Sequence, residues 1–178
     1  FSRLPELGRS LRAEGVPAYQ VAAVISGIIR DMTARAAELA QATMLAEGRG
    51  EAPGPWCMIV LGSAGRGESL LSADQDNALI HGSAEDDYPW FQEMGERVAH
   101  TLNQAGLPFC RGGVMASKRN LRHNLAGWRD YITAWFEHPE PRALLNADIF
   151  YDFAGAGGDS TLAASLSDFS MGARDARL

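Results

Sequence analysis

The stretch of residues 56–81 constrains the fold most strongly, because two short apolar runs in it enclose a glycine-rich turn and two aspartates. Its first apolar run, CMIVL, is bounded by proline and glycine, which is typical of a buried β-strand. A second strand is predicted over residues 74–80, and it begins with Asp74 and Asp76. Because side chains alternate along a strand, these two carboxylates should project from the same face. The sequence therefore predicts a sheet that carries half of a metal site.

The paired aspartates suit a magnesium ion that also binds substrate phosphates. Mg²⁺ prefers oxygen ligands and is usually held by one or two carboxylates together with phosphate oxygens and water. The turn GSAGRG follows the first strand, and glycine without a Cβ allows backbone N–H groups to approach a phosphate closely. Arg66 adds a planar guanidinium that matches phosphate geometry. We therefore expect a triphosphate to bind at Gly62, Ser63, Gly65 and Arg66.

The order of these blocks resembles that of the nucleotidyltransferase superfamily, which includes polymerase β-like enzymes, protein uridylyltransferases and antibiotic nucleotidyltransferases. Five blocks resemble, in the same order, a bacterial nucleotidyltransferase family found with CBS and cyclic-nucleotide-binding-like domains: GSAGRGE, DQDNALI, CRGGVMAS, WRDYITAWFEHPEP and ALLNADIFYDF. The resemblance extends over about residues 11–153. The sequence departs from the usual Glu, Gln, Pro and Arg of the family at Ala64, Ser69, Arg111 and Ala154.

This resemblance implies an α/β (α+β) fold, with a mixed sheet flanked by helices. It also implies transfer of a nucleoside monophosphate from an NTP to a protein or small-molecule acceptor in a signalling context, with Mg²⁺ or alternatively Mn²⁺. Asp74, Asp76 and Asp152 would be the catalytic and metal-binding carboxylates. Asp152 lies between aromatic residues in a strand predicted over residues 147–153, and Asp148 on the same strand face is its alternative.

Two interpretations of the function remain open. One is an active enzyme, and the other is a non-catalytic nucleotide sensor or interaction module in a regulatory protein. The paired aspartates favour the enzyme, because two neighbouring carboxylates repel each other unless a cation is present. Lys118 belongs to a basic cluster at residues 118–123, which we interpret either as a cradle for the triphosphate or as a solvated helix start.

Composition narrows the class of partner. With 22 acidic and 16 basic residues, the chain lacks the positive charge that binding to a long nucleic acid requires. Its two cysteines do not form a CxxC pair or a disulfide framework, and no apolar run is long enough for a membrane span. We therefore expect a cytoplasmic protein with reduced thiols and no membrane contact.

Apolar periodicity predicts the helical parts and the domain organisation. Residues 1–50 should form an N-terminal helical segment of two helices, and further helices are expected around residues 90–104 and 121–136. Residues 51–154 would be the nucleotidyltransferase core. Residues 155–178 would begin a truncated C-terminal helical domain, with the glycines at 155–158 as a hinge before a last helix.

Overall fold

The computed structural model describes residues 3–69, 73–86, 88–137 and 152–175. In this part of the chain, a four-stranded mixed sheet is flanked by helices, which confirms the predicted fold class. The elements are, in chain order, α1 (Leu4–Ala13), α2 (Ala18–Ala46), β1 (Trp56–Val60), α3 (Gly62–Arg66), β2 (Asn77–His81), α4 (Pro89–Gln104), a short 3-10 helix (Arg119–Leu121), β3 (Arg122–Asn124), α5 (Leu125–Glu137), β4 (Ala154–Gly158) and α6 (Ser160–Asp175). None of these helices is both long and apolar enough to cross a membrane.

The strand order β3-β2-β1-β4 places β1 between two antiparallel neighbours. Val60, the last residue of β1, is paired with Asn77 at the start of β2 and with Ala154 at the start of β4. β3 runs parallel to β2 at the other side of the sheet. Consequently, the segment that follows β1 and the segments that precede β2 and β4 all lie at the same end of the sheet.

Alternation along β1 divides the core into two layers. Met58 and Val60 pack with residues of α2 and α4 on one face, whereas Cys57 and Ile59 pack with residues of α5 and α6 on the other. All five residues of β1 are buried, because both faces of the strand are covered. This explains why the strand is a continuous apolar run and not an alternating one.

The division of the chain into three domains stays a prediction.

The predicted start of the second strand is wrong. Residues 74–76 belong to no helix or strand, and the ladder with β1 begins only at Asn77. Residues 147–151 of the predicted last strand lie outside the described residues. Its remaining residues, Asp152 and Phe153, precede β4 and do not belong to a strand, so this part of the prediction is wrong.

The predicted hinge at residues 155–158 is also wrong, because these residues form β4. Glycine is needed at two positions of this strand because other parts of the chain pass very close to them. A Cβ on Gly157 would lie 3.0 Å from the Cα of Ala34 in α2, and one on Gly158 would lie 2.7 Å from the Trp56 ring. The helix predicted after the glycines is confirmed, and the carboxylate of Asp159 accepts a hydrogen bond from the backbone N–H of Thr161 in its first turn.

The basic cluster contains a short 3-10 helix and the start of β3, and it does not begin an α-helix. Arg122 is 2% exposed at the start of β3, and its guanidinium donates a hydrogen bond to the carbonyl oxygen of Ala116. His123 is also buried, whereas Lys118 and Arg119 are exposed. The interpretation as a solvated helix start is therefore wrong for the second half of the cluster. The N-terminal helices, α4 and α5 are confirmed.

Candidate functional site

The end of the sheet brings the glycine-rich turn next to the aspartates. The backbone N–H of Leu61 donates a 2.9 Å hydrogen bond to the carbonyl oxygen of Asp76. Gly62 and Ser63 follow Leu61 directly and begin α3. This hydrogen bond links the turn to the aspartate segment just outside the paired residues of β1 and β2.

Gln75 fixes the direction in which its two neighbours point. Its side-chain amide donates 2.9 Å hydrogen bonds to the carbonyl oxygens of Ala99 and Leu107, and it is fully buried. Asp74 and Asp76, on either side of Gln75 in the chain, are only partly buried, as alternation of side chains would place them. Their carboxylates come within 4.8 Å of each other. The prediction that they share a face is therefore confirmed, although they lie before the strand and not in it.

A third group, the thiol of Cys110, lies at the same place. Backbone hydrogen bonds from Gln75 to Pro108 (3.0 Å) and from Asn77 to Val114 (3.1 Å) hold the intervening loop along the aspartate segment. The sulfur of Cys110 is within 4.8 Å of ligand oxygens of both aspartates. The sequence pattern assigns this residue no role, since its only signal is its position at the start of the resembling block CRGGVMAS.

The electrostatics of this cluster favour a bound cation. Burial raises the pKa of the Asp76 carboxyl, a hydrogen bond from Cys110 lowers it in part, and the charge of Asp74 raises it further. Burial also raises the pKa of the Cys110 thiol, and the neighbouring Asp76 raises it too. Both groups therefore resist ionisation when no positive charge is nearby. Two carboxylates with a thiol beside them fit a divalent cation.

The residues of the turn have contacts within the protein. Gly62 has a positive φ of 55°, which only glycine adopts readily, and it is buried. The hydroxyl oxygens of Ser63 and Ser69 lie 3.4 Å apart. The guanidinium of Arg66 donates to the carboxylate of Glu68 at 2.9 Å, and this ion pair is largely exposed. Phosphate binding by these residues stays a prediction.

Asp152 approaches the turn through its backbone. A Cβ on Gly65 would lie 3.0 Å from both the carbonyl carbon of Asp152 and the Cα of Phe153, and would collide with the Asp152 oxygen. The backbone N–H of Gly65 also donates to the carbonyl of Leu61 within α3. Gly65 thus has a packing role. The Asp152 side chain is exposed and does not belong to the group of ligand atoms around Asp76, so its catalytic role stays a prediction.

Lys118 lies beside the loop that carries Cys110. It borders a surface depression of about 410 Å³ between α4 and this loop, together with His100, Phe109 and Ser117. Its aliphatic chain comes near Gly113. The structure therefore places Lys118 close to the site loop, and its contact with a nucleotide stays a prediction.

With this geometry established, comparison with known proteins identifies the family. The family model described as "Putative nucleotidyltransferase DUF294" matches residues 2–142. The chain belongs to the DUF294 family. No curated protein matches the chain.

The DUF294 match covers most of the site. It includes the turn, the aspartate segment and the loop of Cys110, and it ends before Asp152. The description of the DUF294 family supports nucleotidyl transfer as the class of activity. Linkage to CBS domains and similarity to uridylyltransferases stay predictions.

Proposed function

We propose that this DUF294 chain transfers a nucleoside monophosphate from an NTP to an acceptor hydroxyl. The observation that carries the proposal is the hydrogen bond from Leu61 to Asp76, which joins the glycine-rich turn to the paired carboxylates. A phosphate-binding turn and a cation site must be adjacent if both are to act on one triphosphate. The family description supports the same reaction class.

In this proposal, Asp74 and Asp76 hold Mg²⁺, or Mn²⁺ in its place. When bound, the cation offsets the negative charge of the phosphates and of the leaving pyrophosphate. Gly62 and Ser63 bind phosphate oxygens through backbone N–H and hydroxyl groups. Arg66 would exchange its exposed ion pair with Glu68 for a phosphate, and an exposed ion pair of this kind contributes about 0–1 kcal/mol.

The remaining assignments concern the reaction itself. The acceptor oxygen attacks the α-phosphorus, the bond to the bridging oxygen of the β-phosphate breaks, and pyrophosphate leaves. Asp152 acts as the third carboxylate and favours removal of the acceptor proton. Its backbone packs against Gly65, which places Asp152 beside the glycine-rich turn. Lys118 approaches the phosphates from the side of the Cys110 loop.

The proposal also includes a biological setting. The sequence blocks resemble those of cytoplasmic signalling proteins with regulatory domains, and the acceptor is a protein or a small molecule. The excess of acidic over basic residues in the chain argues against a long nucleic acid as acceptor.

Calorimetry and mass spectrometry test the proposal together. Each NTP is titrated into the protein with MgCl₂ or with EDTA, and the protein is then incubated with NTP, MgCl₂ and cell extract to detect an added nucleotide. We expect binding that requires Mg²⁺ and is lost in Asp76→Asn. Asp130→Asn is the matched control, because Asp130 is an exposed aspartate on α5. Equal binding with EDTA would contradict the proposal, and Mg²⁺-dependent binding without transfer would favour a nucleotide sensor.

A further inference from the structure

We propose that Cys110 is a third protein ligand of the cation held by Asp74 and Asp76, and that it gives the site a preference for Co²⁺ and Zn²⁺ over Mg²⁺ when no nucleotide is bound. This inference rests on the proposed function, because it concerns the same site. It adds a ligand that neither the family description nor the sequence pattern assigns.

The geometry of the three donor atoms suits a single ion. Ligand atoms of Asp74, Asp76 and Cys110 all lie within 4.8 Å of one another. In a tetrahedral site, metal–oxygen and metal–sulfur bonds of about 2.0–2.3 Å place two ligand atoms of one ion about 3.3–3.8 Å apart. Side-chain movements of about 1–1.5 Å or less would therefore bring all three donors to one cation.

The backbone holds the sulfur in this position. Pro108 and Val114 each accept a hydrogen bond from the aspartate segment, on either side of Cys110. Beyond them, the side-chain oxygen of Asn77 accepts a 2.9 Å hydrogen bond from the N–H of Ala116. The turn within the loop is closed by a 3.1 Å hydrogen bond from Gly113 to the carbonyl of Cys110. The loop and the aspartates thus form one hydrogen-bonded unit.

The donor set determines which ions bind best. On coordination the thiol loses its proton to the solvent, and the sulfur binds the metal as a thiolate. Thiolates favour Zn²⁺ and Co²⁺, whereas Mg²⁺ favours oxygen ligands and gains little from sulfur. Loss of the sulfur should therefore weaken Co²⁺ binding selectively and leave Mg²⁺ binding almost unchanged.

Cobalt absorption provides a direct readout of sulfur coordination. The 178-residue chain is titrated with CoCl₂ in the presence of a phosphine reductant, and the absorption band of thiolate-to-cobalt charge transfer is followed in the near ultraviolet. We expect a charge-transfer band in the parent that disappears in Cys110→Ser, with a loss of about tenfold or more in Co²⁺ affinity. Mg²⁺ affinity, measured by competition or calorimetry, should change by less than about threefold.

Cys57 supplies the matched control. It is the other cysteine of the chain, and it is buried in β1 in the core layer that contains Ala163 of α6. Cys57→Ala should keep the cobalt band. A parent protein that shows no thiolate band, or a Cys110→Ser variant that binds Co²⁺ as tightly as the parent, would overturn the inference.

The same titrations separate this inference from the proposed function. If Mg²⁺-dependent NTP binding is intact and sensitive to Asp76→Asn while cobalt shows no thiolate band, only the role of Cys110 fails. If no divalent cation binds in a way that depends on Asp74 and Asp76, both the proposed function and the role of Cys110 fail.

Discussion

Substitution of Gly65 by alanine should disturb the site by displacing the chain at Asp152. The new Cβ would lie 3.0 Å from the Asp152 carbonyl carbon and from the Cα of Phe153, and closer still to the Asp152 oxygen. Favourable carbon–carbon contacts are about 3.5–4.0 Å, so the backbone of one segment must move by at least about 0.5 Å. Both neighbours are backbone and cannot rotate away as a flexible side chain would. We expect a loss of about 1–3 kcal/mol in the free energy of unfolding.

Urea denaturation followed by tryptophan fluorescence measures this loss, with Gly27→Ala as the matched control. Gly27 lies within α2, and a Cβ there would meet nothing within 4 Å. Alanine is favoured over glycine in a helix, so this control should gain about 0.5–1 kcal/mol. Equal effects of the two substitutions would show that Asp152 does not pack against the turn, and the argument from Gly65 would be refuted.

Three further predictions concern single side chains. Burial lowers the pKa of His81 to about 4. As the pH falls, this imidazole is protonated near pH 6.5 in the unfolded chain but only near pH 4 in the folded protein. The folded state therefore loses stability, relative to neutral pH, as the pH falls towards 4. Between pH 7 and pH 5 this loss should be about 2 kcal/mol in urea denaturation, and a loss of equal size in His81→Gln would contradict it. The Arg66→Lys variant should bind triphosphate more weakly in calorimetry, because only a guanidinium binds phosphate in bidentate fashion, and the melting temperature of the free protein should not change. Reduced stability with normal triphosphate affinity would show that Arg66 is structural. The Asp152→Asn variant should bind Mg²⁺ and NTP with an affinity within a few-fold of that of the parent, yet it should fail to transfer nucleotide. Equal nucleotide transfer by the two proteins would show that another carboxylate has this role.

Much of the architecture could be predicted from sequence because apolar patterning dominates it. β1 is a short apolar run, and the helices repeat their apolar residues at helical spacing. The pair Asp74 and Asp76 could also be placed on one side, since alternation holds in any extended segment. These properties are local, and they need no knowledge of which segments meet.

The missed features depend on contacts between distant segments. β4 has the sequence AGAGG, which carries almost no side-chain signal, and Gly157 and Gly158 are required by the proximity of Ala34 and Trp56. Arg122 resembles a surface residue in the sequence, but it is buried where β3 pairs with Leu79 of β2, and the carbonyl oxygen of Ala116 accepts its hydrogen bond. Cys110 joins the aspartates only because its loop is hydrogen-bonded to theirs. Such contacts cannot be deduced from the composition of the sequence or from the spacing of its residues.

Transfer of labelled nucleotide tests the central claim most directly. The protein is incubated with MgCl₂, cell extract and an NTP labelled either at the α-phosphate or at the γ-phosphate, and the labelled products are separated. We predict that the α label moves to an acceptor while the γ label leaves as pyrophosphate, and that Asp76→Asn abolishes both events but Asp130→Asn does not. Transfer of the γ label, or unchanged transfer in Asp76→Asn, would contradict the proposal that Asp74 and Asp76 support nucleotidyl transfer.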